Sequence, residues 1–149
     1  MRAVVQRVHR AQVLVDGAIV GAIGRGLLVY LGVGARDGEP EAAWMATKIE
    51  TLRIFEDERE KMSLSVRDVS GAILVVSQFT LYGDVRKGRR PSFDAAKPPE
   101  EANALYEQVC RALRERGLVV EQGRFRATMS VGSDVDGPVT ILVDSDRAF

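Results

Sequence analysis

The strongest constraint on the fold is a nine-residue apolar run, Gly26–Gly34 (GLLVYLGVG). It is too short for a bilayer, which takes about 20 residues. Residues 27–33 are nearly all apolar, so as a strand they must be covered on both faces. The preceding sequence supplies neighbours for such a strand. Residues 2–9 alternate, with Ala3, Val5 and Arg7 on one face and Val4, Gln6 and Val8 on the other. Residues 12–16 continue in a β pattern, Asp16-Gly17 is a hairpin turn, and 18–23 return. Gly24-Arg25-Gly26 turns again, so the chain opens as a β meander.

Two helices cover the sheet. Residues 39–54 place Ala42, Met45, Ile49 and Leu52 on one stripe, with Pro40 in the first turn. Pro98-Pro99-Glu100-Glu101 opens the second helix, whose buried stripe is Ala102, Leu105, Tyr106, Val109 and Leu113; Gly117 ends it. Residues 56–61 read as a charged loop and 71–76 as a buried strand running into Ser77-Gln78-Phe79-Thr80-Leu81. Residues 83–97 read as a long surface loop. Strands are expected at 118–121, 127–132 and 139–144, with Asp136-Gly137-Pro138 as the turn between the last two. The expected fold is α/β: one compact three-layer domain over residues 1–149, with a β-rich, barrel-like sheet core and two main helices.

Composition narrows the chemistry. Lys+Arg and Asp+Glu are both 21, so the formal net charge is zero, which disfavours a nonspecific nucleic-acid coat. There is one His, His9, and one Cys, Cys110. An internal disulfide is impossible, and a Cys/His zinc site would lack ligands. Any triad would have to use His9. Catalysis must therefore lean on hydroxyls, carboxylates, backbone groups or the substrate. His9 and Cys110 read as structural. No targeting or membrane segment stands out, so the cytoplasm is the expected location.

Three segments are candidate sites. Ser77-Gln78-Phe79-Thr80 follows a buried strand, where α/β sheets often place ligands; the competing reading is a self-satisfied strand end. Thr80 could serve as a nucleophile only with a base to activate it. Arg86-Lys87-Gly88-Arg89-Arg90 carries four cations in five residues. It suits phosphate contacts, or merely solubility. Asp136-Gly137-Pro138-Val139-Thr140 reads locally as a β-turn.

Taken together, these segments resemble the D-aminoacyl-tRNA deacylases of the D-Tyr-tRNA deacylase type. The opening RAVVQRVHRAQVLVDG, GRGLLVYLGV, KMSLSV, VVSQFTLYGD, GRRPSF, ALYEQV, GRF and DGPVT follow in the family's order, and SQFTL and GPVT are its two signature motifs. The sequence departs from the family at Val135, where Asn is usual, at Gly132-Ser133-Asp134, and at Thr128. The resemblance implies an enzyme without metal or cofactor that hydrolyses the ester of D-aminoacyl-tRNA. It implies a homodimer with the site at its interface, acting on neither DNA nor membranes. Gly137-Pro138 would be a Gly-cis-Pro pair inserted beside the partner's Ser77, Gln78, Phe79 and Thr80, rejecting L-residues and tolerating glycine. Arg7 would support the motif, and Arg86, Lys87, Arg89 and Arg90 would grip the tRNA. Backbone N–H groups near Phe79 and Thr80 would hold the oxyanion, with help from the ribose 2′-OH. A Thr80-nucleophile esterase and a non-catalytic module that binds the tRNA acceptor end are the alternatives.

Overall fold

The computed structural model describes residues 1–148. Its first strand, β1 (Arg2–Val15), organises the rest. One edge of β1 is shared: Arg2–Val8 pair with β3 (Gly26–Gly32), and Ala11–Val15 pair with β2 (Ala18–Ile23). The other edge pairs along its length with β8 (Ser130–Asp144). Asp16 and Gly17 both take positive φ, the type I′ geometry that suits a tight hairpin.

The parallel part of the sheet runs from β3 to β6 (Ala72–Ser77) and then β7 (Val119–Gln122). The full order is β2-β1-β3-β6-β7, with β8 on β1. This sheet curls nearly closed. A Cβ on Gly21 of β2 would lie 2.5 Å from the Gln122 carbonyl of β7, so only glycine lets the two strands approach this closely.

Both faces of β3 are buried, as the apolar run demands. Leu27, Val29 and Leu31 face the helices, while Leu28 faces the barrel interior with Leu74, Val76, Val8, Ala11 and Val13. In β1 the alternation flips between Val8 and Ala11, where its pairing with β8 is irregular. A bulge adds a residue and sends odd positions to the other face. Arg7 lies before the bulge, on the helix side, and is only 5% exposed.

Helix α1 (Glu39–Thr51) buries Ala42, Met45 and Ile49, and the Glu41 carboxylate accepts the Gly38 N–H. It ends three residues earlier than the periodicity suggests. Leu52 turns extended so that Ile54 and Phe55 can enter the core. The charged stretch at 57–61 is the tip of a small hairpin, β4 (Phe55–Glu56) with β5 (Met62–Leu64). Helix α2 (Pro99–Glu115) buries Ala102, Tyr106, Val109, Cys110 and Leu113, and Gly117 follows it at φ 82.

β6 ends at Ser77, and Phe79–Tyr82 form a 3-10 turn. One further expectation is corrected. Asp136-Gly137-Pro138 is not a turn between two strands, because β8 runs through it, and residues 127–129 lie outside that strand. Val8 pairs with Val135 and Gln6 with Thr140, so the intervening residues bulge from the ladder. Proline has no N–H to donate, and a bulge is where a strand tolerates it. Val135 packs against the barrel interior.

Candidate functional site

The parallel strands β3, β6 and β7 end side by side, and an open cleft of about 740 Å³ lies at their carboxyl ends. Leu31 and Val33 follow from β3, and Val76 and Ser77 from β6. The start of α2 and the 123–131 segment close the far side. Most of the wall is apolar. Phe79 and Phe93 meet edge to face, with ring centroids 4.9 Å apart at 66°. Phe79 remains 59% exposed, so a large aromatic face is left open beside the cleft.

The backbone at Ser77–Phe79 is the polar part of this wall, and Thr80 follows just outside the lining. Gln78 N–H donates to Leu31 O at 2.8 Å, tying the segment to β3. Leu81 N–H donates back to Gln78 O at 3.3 Å. Phe79 and Thr80 open the 3-10 turn, and their N–H groups have no partner among the described residues. Gln78 Nε2 donates to Thr80 Oγ1. The cleft lining includes Ser77, Gln78 and Phe79 but not Thr80, and it holds no carboxylate, imidazole or thiol. Its floor is fixed by Tyr106, whose hydroxyl donates to Val75 O at 2.8 Å. Burial pushes that phenol's pKa up, so it stays protonated.

Gly137-Pro138 sits elsewhere. Its peptide bond is cis, Gly137 has φ 118, and both residues are exposed. A Cβ on Gly137 would lie 2.8 Å from both the nitrogen and Cγ2 of Val139. The segment is anchored through Asp136. Arg7 Nε lies 2.8 Å from Asp136 Oδ2, an ion pair whose N–H is not aimed along a hydrogen bond. Arg7 Nη1 donates to Ile54 O at 2.7 Å, and Glu56 approaches Nη2 at 3.7 Å. His9 Nε2 lies 3.6 Å from Asp136 Oδ1. Within one chain, neither Gly137, Pro138 nor Arg7 lines the cleft.

The basic loop is exposed and closed at its base by the Asp84–Ser92 bridge. Its four cations are not equivalent. Arg86 pairs with Asp84 at 2.6 Å and holds that carboxyl near pKa 2. Lys87, Arg89 and Arg90 make no ion pair among the described residues, and none of the four lines the cleft.

Cys110 is fully buried, and burial pushes its thiol up to about 12, so it offers no thiolate. Among the described residues no three His, Cys, Asp or Glu side chains converge as metal ligands, and no helix is long and apolar enough to cross a membrane. Sequence reasoning did not assign Tyr106, Met129 or Arg126 to the cleft. Tyr106 was legible only as one more residue of a buried helical stripe.

A family model described as D-Tyr-tRNA(Tyr) deacylase matches residues 4–144. A protein of Anaeromyxobacter dehalogenans named D-aminoacyl-tRNA deacylase is 64% identical over 149 residues, covering all of both chains. One of the same name from Thermotoga petrophila is 60% identical, also over the whole of both chains. Among solved structures, one titled c-Myc DNA Unwinding Element Binding Protein has a TM-score of 0.92 at 47% identity, covering 97% of this chain and 99% of its own. A second, titled as a probable eukaryotic D-amino acid tRNA deacylase, has a TM-score of 0.81 at 23% identity and shares the fold; it covers 95% of this chain and 97% of its own.

Proposed function

The chain belongs to the D-Tyr-tRNA(Tyr) deacylase family and is a hydrolase acting on aminoacyl-tRNA, and on that premise we propose that it frees D-amino acids, and glycine, from the 3′-terminal adenosine of tRNA. The observation that carries this reading is the cleft at the end of β6. It pairs an apolar, aromatic wall with the unpartnered N–H of Phe79, and the unpartnered N–H of Thr80 follows next in the chain, outside the lining. An adenosine suits the wall, because bases stack on aromatic rings without needing sequence-specific bonds. The two N–H groups suit the oxyanion that forms when the ester carbonyl is attacked.

The nucleophile in this reading is water, with the ribose 2′-OH assisting the proton transfer. Thr80 Oγ1 meets an amide and no base, which favours this route over a threonyl ester. Chain economy points the same way. A site without imidazole, carboxylate or thiol works best on an activated ester that brings its own hydroxyl.

Chirality is read by Gly137-Pro138 of a second copy. These residues are exposed and lie outside the lining of their own cleft. Among the described residues β8 pairs only with β1, so its outer edge is open, and Leu142 on it is 57% exposed. A long open edge strand favours pairing with another chain. In a homodimer the two carbonyl-rich bulges would face the two clefts. An L-side chain would meet that wall, a D-side chain would point away, and glycine would have nothing to exclude. Arg7 supports the motif through Asp136. Lys87, Arg89 and Arg90 would meet tRNA phosphates.

The test is hydrolysis of D-Tyr-tRNA and L-Tyr-tRNA by purified protein with a chelator present. We expect D-Tyr-tRNA to be cleaved and L-Tyr-tRNA spared, and Thr80→Ala to keep most of the rate. Binding without turnover, or equal cleavage of both substrates, would overturn the reading. Collapse of the rate in Thr80→Ala, with the protein still folded, would restore the threonine nucleophile.

A further inference from the structure

Two charged side chains line the cleft, Lys97 and Arg126. Lys97 is already engaged: its Nζ donates to Ala35 O at 3.1 Å and lies 3.5 Å from Glu101 Oε2. The Arg126 side chain has neither an ion pair nor a hydrogen bond among the described residues, and it is exposed. Its backbone takes φ 63, in the left-handed region that non-glycine residues rarely occupy. A turn closed by Ala127 N–H to Arg124 O at 3.1 Å holds it there.

We propose that Arg126 grips a phosphate of the RNA 3′ end at the mouth of the cleft. The inference rests on the aminoacyl-tRNA reading above and deepens it. When a nucleoside fills an apolar cleft, its 5′-phosphate has to stop at the rim, because an unpaired phosphate cannot be buried. The rim must then supply a cation. Of the two available, only Arg126 has its full donor set uncommitted. Its planar fork matches two phosphate oxygens, which a lysine point charge does not. The Arg86–Arg90 loop is placed for more distant phosphates, since none of it reaches the lining and Arg86 is held by Asp84.

Arg124 provides the internal control. It carries the same charge in the same loop but does not line the cleft. The experiment measures binding of uncharged tRNA across a salt series, together with hydrolysis of D-Tyr-tRNA and of a D-tyrosyl-adenosine ester that has no phosphate. Arg126→Ala should weaken tRNA binding about tenfold at low salt. It should also flatten the salt dependence by about 0.7 in log–log slope, the value for one single-strand phosphate. Arg126→Gly, which suits the left-handed backbone, should show the same loss, and Arg126→Lys should recover part of it. Arg124→Ala should change binding clearly less than Arg126→Ala, because its side chain does not line the cleft and cannot make the same bidentate contact at its mouth.

The loss in Arg126→Ala should be several-fold larger for D-Tyr-tRNA than for the phosphate-free ester. Equal losses on both substrates would overturn the inference, because Arg126 would then act on the reacting end. Unchanged tRNA binding in Arg126→Ala, or equal effects of the Arg124 and Arg126 variants, would overturn it too. tRNA binding that depends on Arg126 without any D-Tyr-tRNA hydrolysis would defeat the deacylase reading and leave this one standing.

Discussion

The cleft at the end of β6 and the bulge on β8 are built on opposite plans. The cleft is a space: mostly apolar walls, an unpartnered backbone donor at Phe79 and two cations at its edge. The bulge is a projection: exposed backbone held from behind by a buried guanidinium and a carboxylate. A space tolerates small changes in its walls, since water and neighbouring side chains relax into them. A projection depends on a few rigid bonds, and losing one shifts its whole tip. Substitutions at the bulge should therefore cost far more function than substitutions at the cleft.

Gly137→Ala is the sharpest attempt to break this contrast. The left-handed φ and the 2.8 Å approach to Val139 leave no room for a Cβ. The segment must move by an appreciable fraction of an ångström. Misplacement on that scale costs about a hundredfold in rate, measurable as single-turnover hydrolysis of D-Tyr-tRNA. A wild-type rate on D-Tyr-tRNA with L-Tyr-tRNA still spared would show that the bulge takes no part in the reaction.

Arg7→Met tests the anchor itself. It strips Ile54 O of its donor and Asp136 of its cation. Losing one partner of a buried pair costs about 3–5 kcal/mol. Asp136 is 27% exposed and water can partly replace the cation, so about 2–3 kcal/mol is expected. Urea unfolding measures it. A second change, Asp136→Asn, should return part of the loss, because the nearer and more buried of the two carboxylates around Arg7 then carries no charge.

Tyr106→Phe tests the cleft floor, and the effect should be smaller. Val75 O would lose the phenol but keep Gly123 N–H at 2.9 Å. About 0.5–1 kcal/mol of stability should go, read by the same urea titration. A loss larger than that of Arg7→Met would reverse the contrast between the two regions.

The smallest effect is expected at Asp84, on the exposed basic loop. Its carboxyl titrates near 2 because Arg86 holds the charged form, against 3.8 for the free group. The folded value is the lower one, so the pairing contributes fully above pH 4 and vanishes as pH falls through about 2. Carboxyl NMR should give that midpoint. A midpoint near 4 would mean that Arg86 is free, and the basic loop would then be a stronger rival to the cleft for RNA.

The sequence exposed the parts of the fold whose causes are local. The apolar run at 26–34 required a doubly covered strand, and the stripes of both helices marked their buried faces. The errors fall where distant residues decide. Asp136-Gly137-Pro138 has every local mark of a turn, yet β1 supplies a partner for the residues on either side and the strand continues. The spacing of Ser77–Thr80 suggested a site, but nothing local shows that the cleft beside it is walled by Tyr106, Phe125 and Met129. The charge of the 86–90 run was visible, but its internal pairing with Asp84 was not. Arg126 carries no local signal, because a single arginine in a polar stretch has no pattern.

The ladder between β1 and β8 also governs when this protein can become itself. Arg2 binds Asp144 across 142 positions of chain. β1 borders most of the sheet, yet one whole edge of it waits for a strand made more than a hundred residues later. Closing so long a loop adds little to the equilibrium cost, since each doubling of length adds only about 0.6 kcal/mol. It weighs instead on the folding rate, which falls as contacts become more distant in sequence. Until β8 arrives, the nascent chain carries a long, open strand edge that other chains can pair with. The same ladder that completes the molecule is therefore its main point of vulnerability during synthesis.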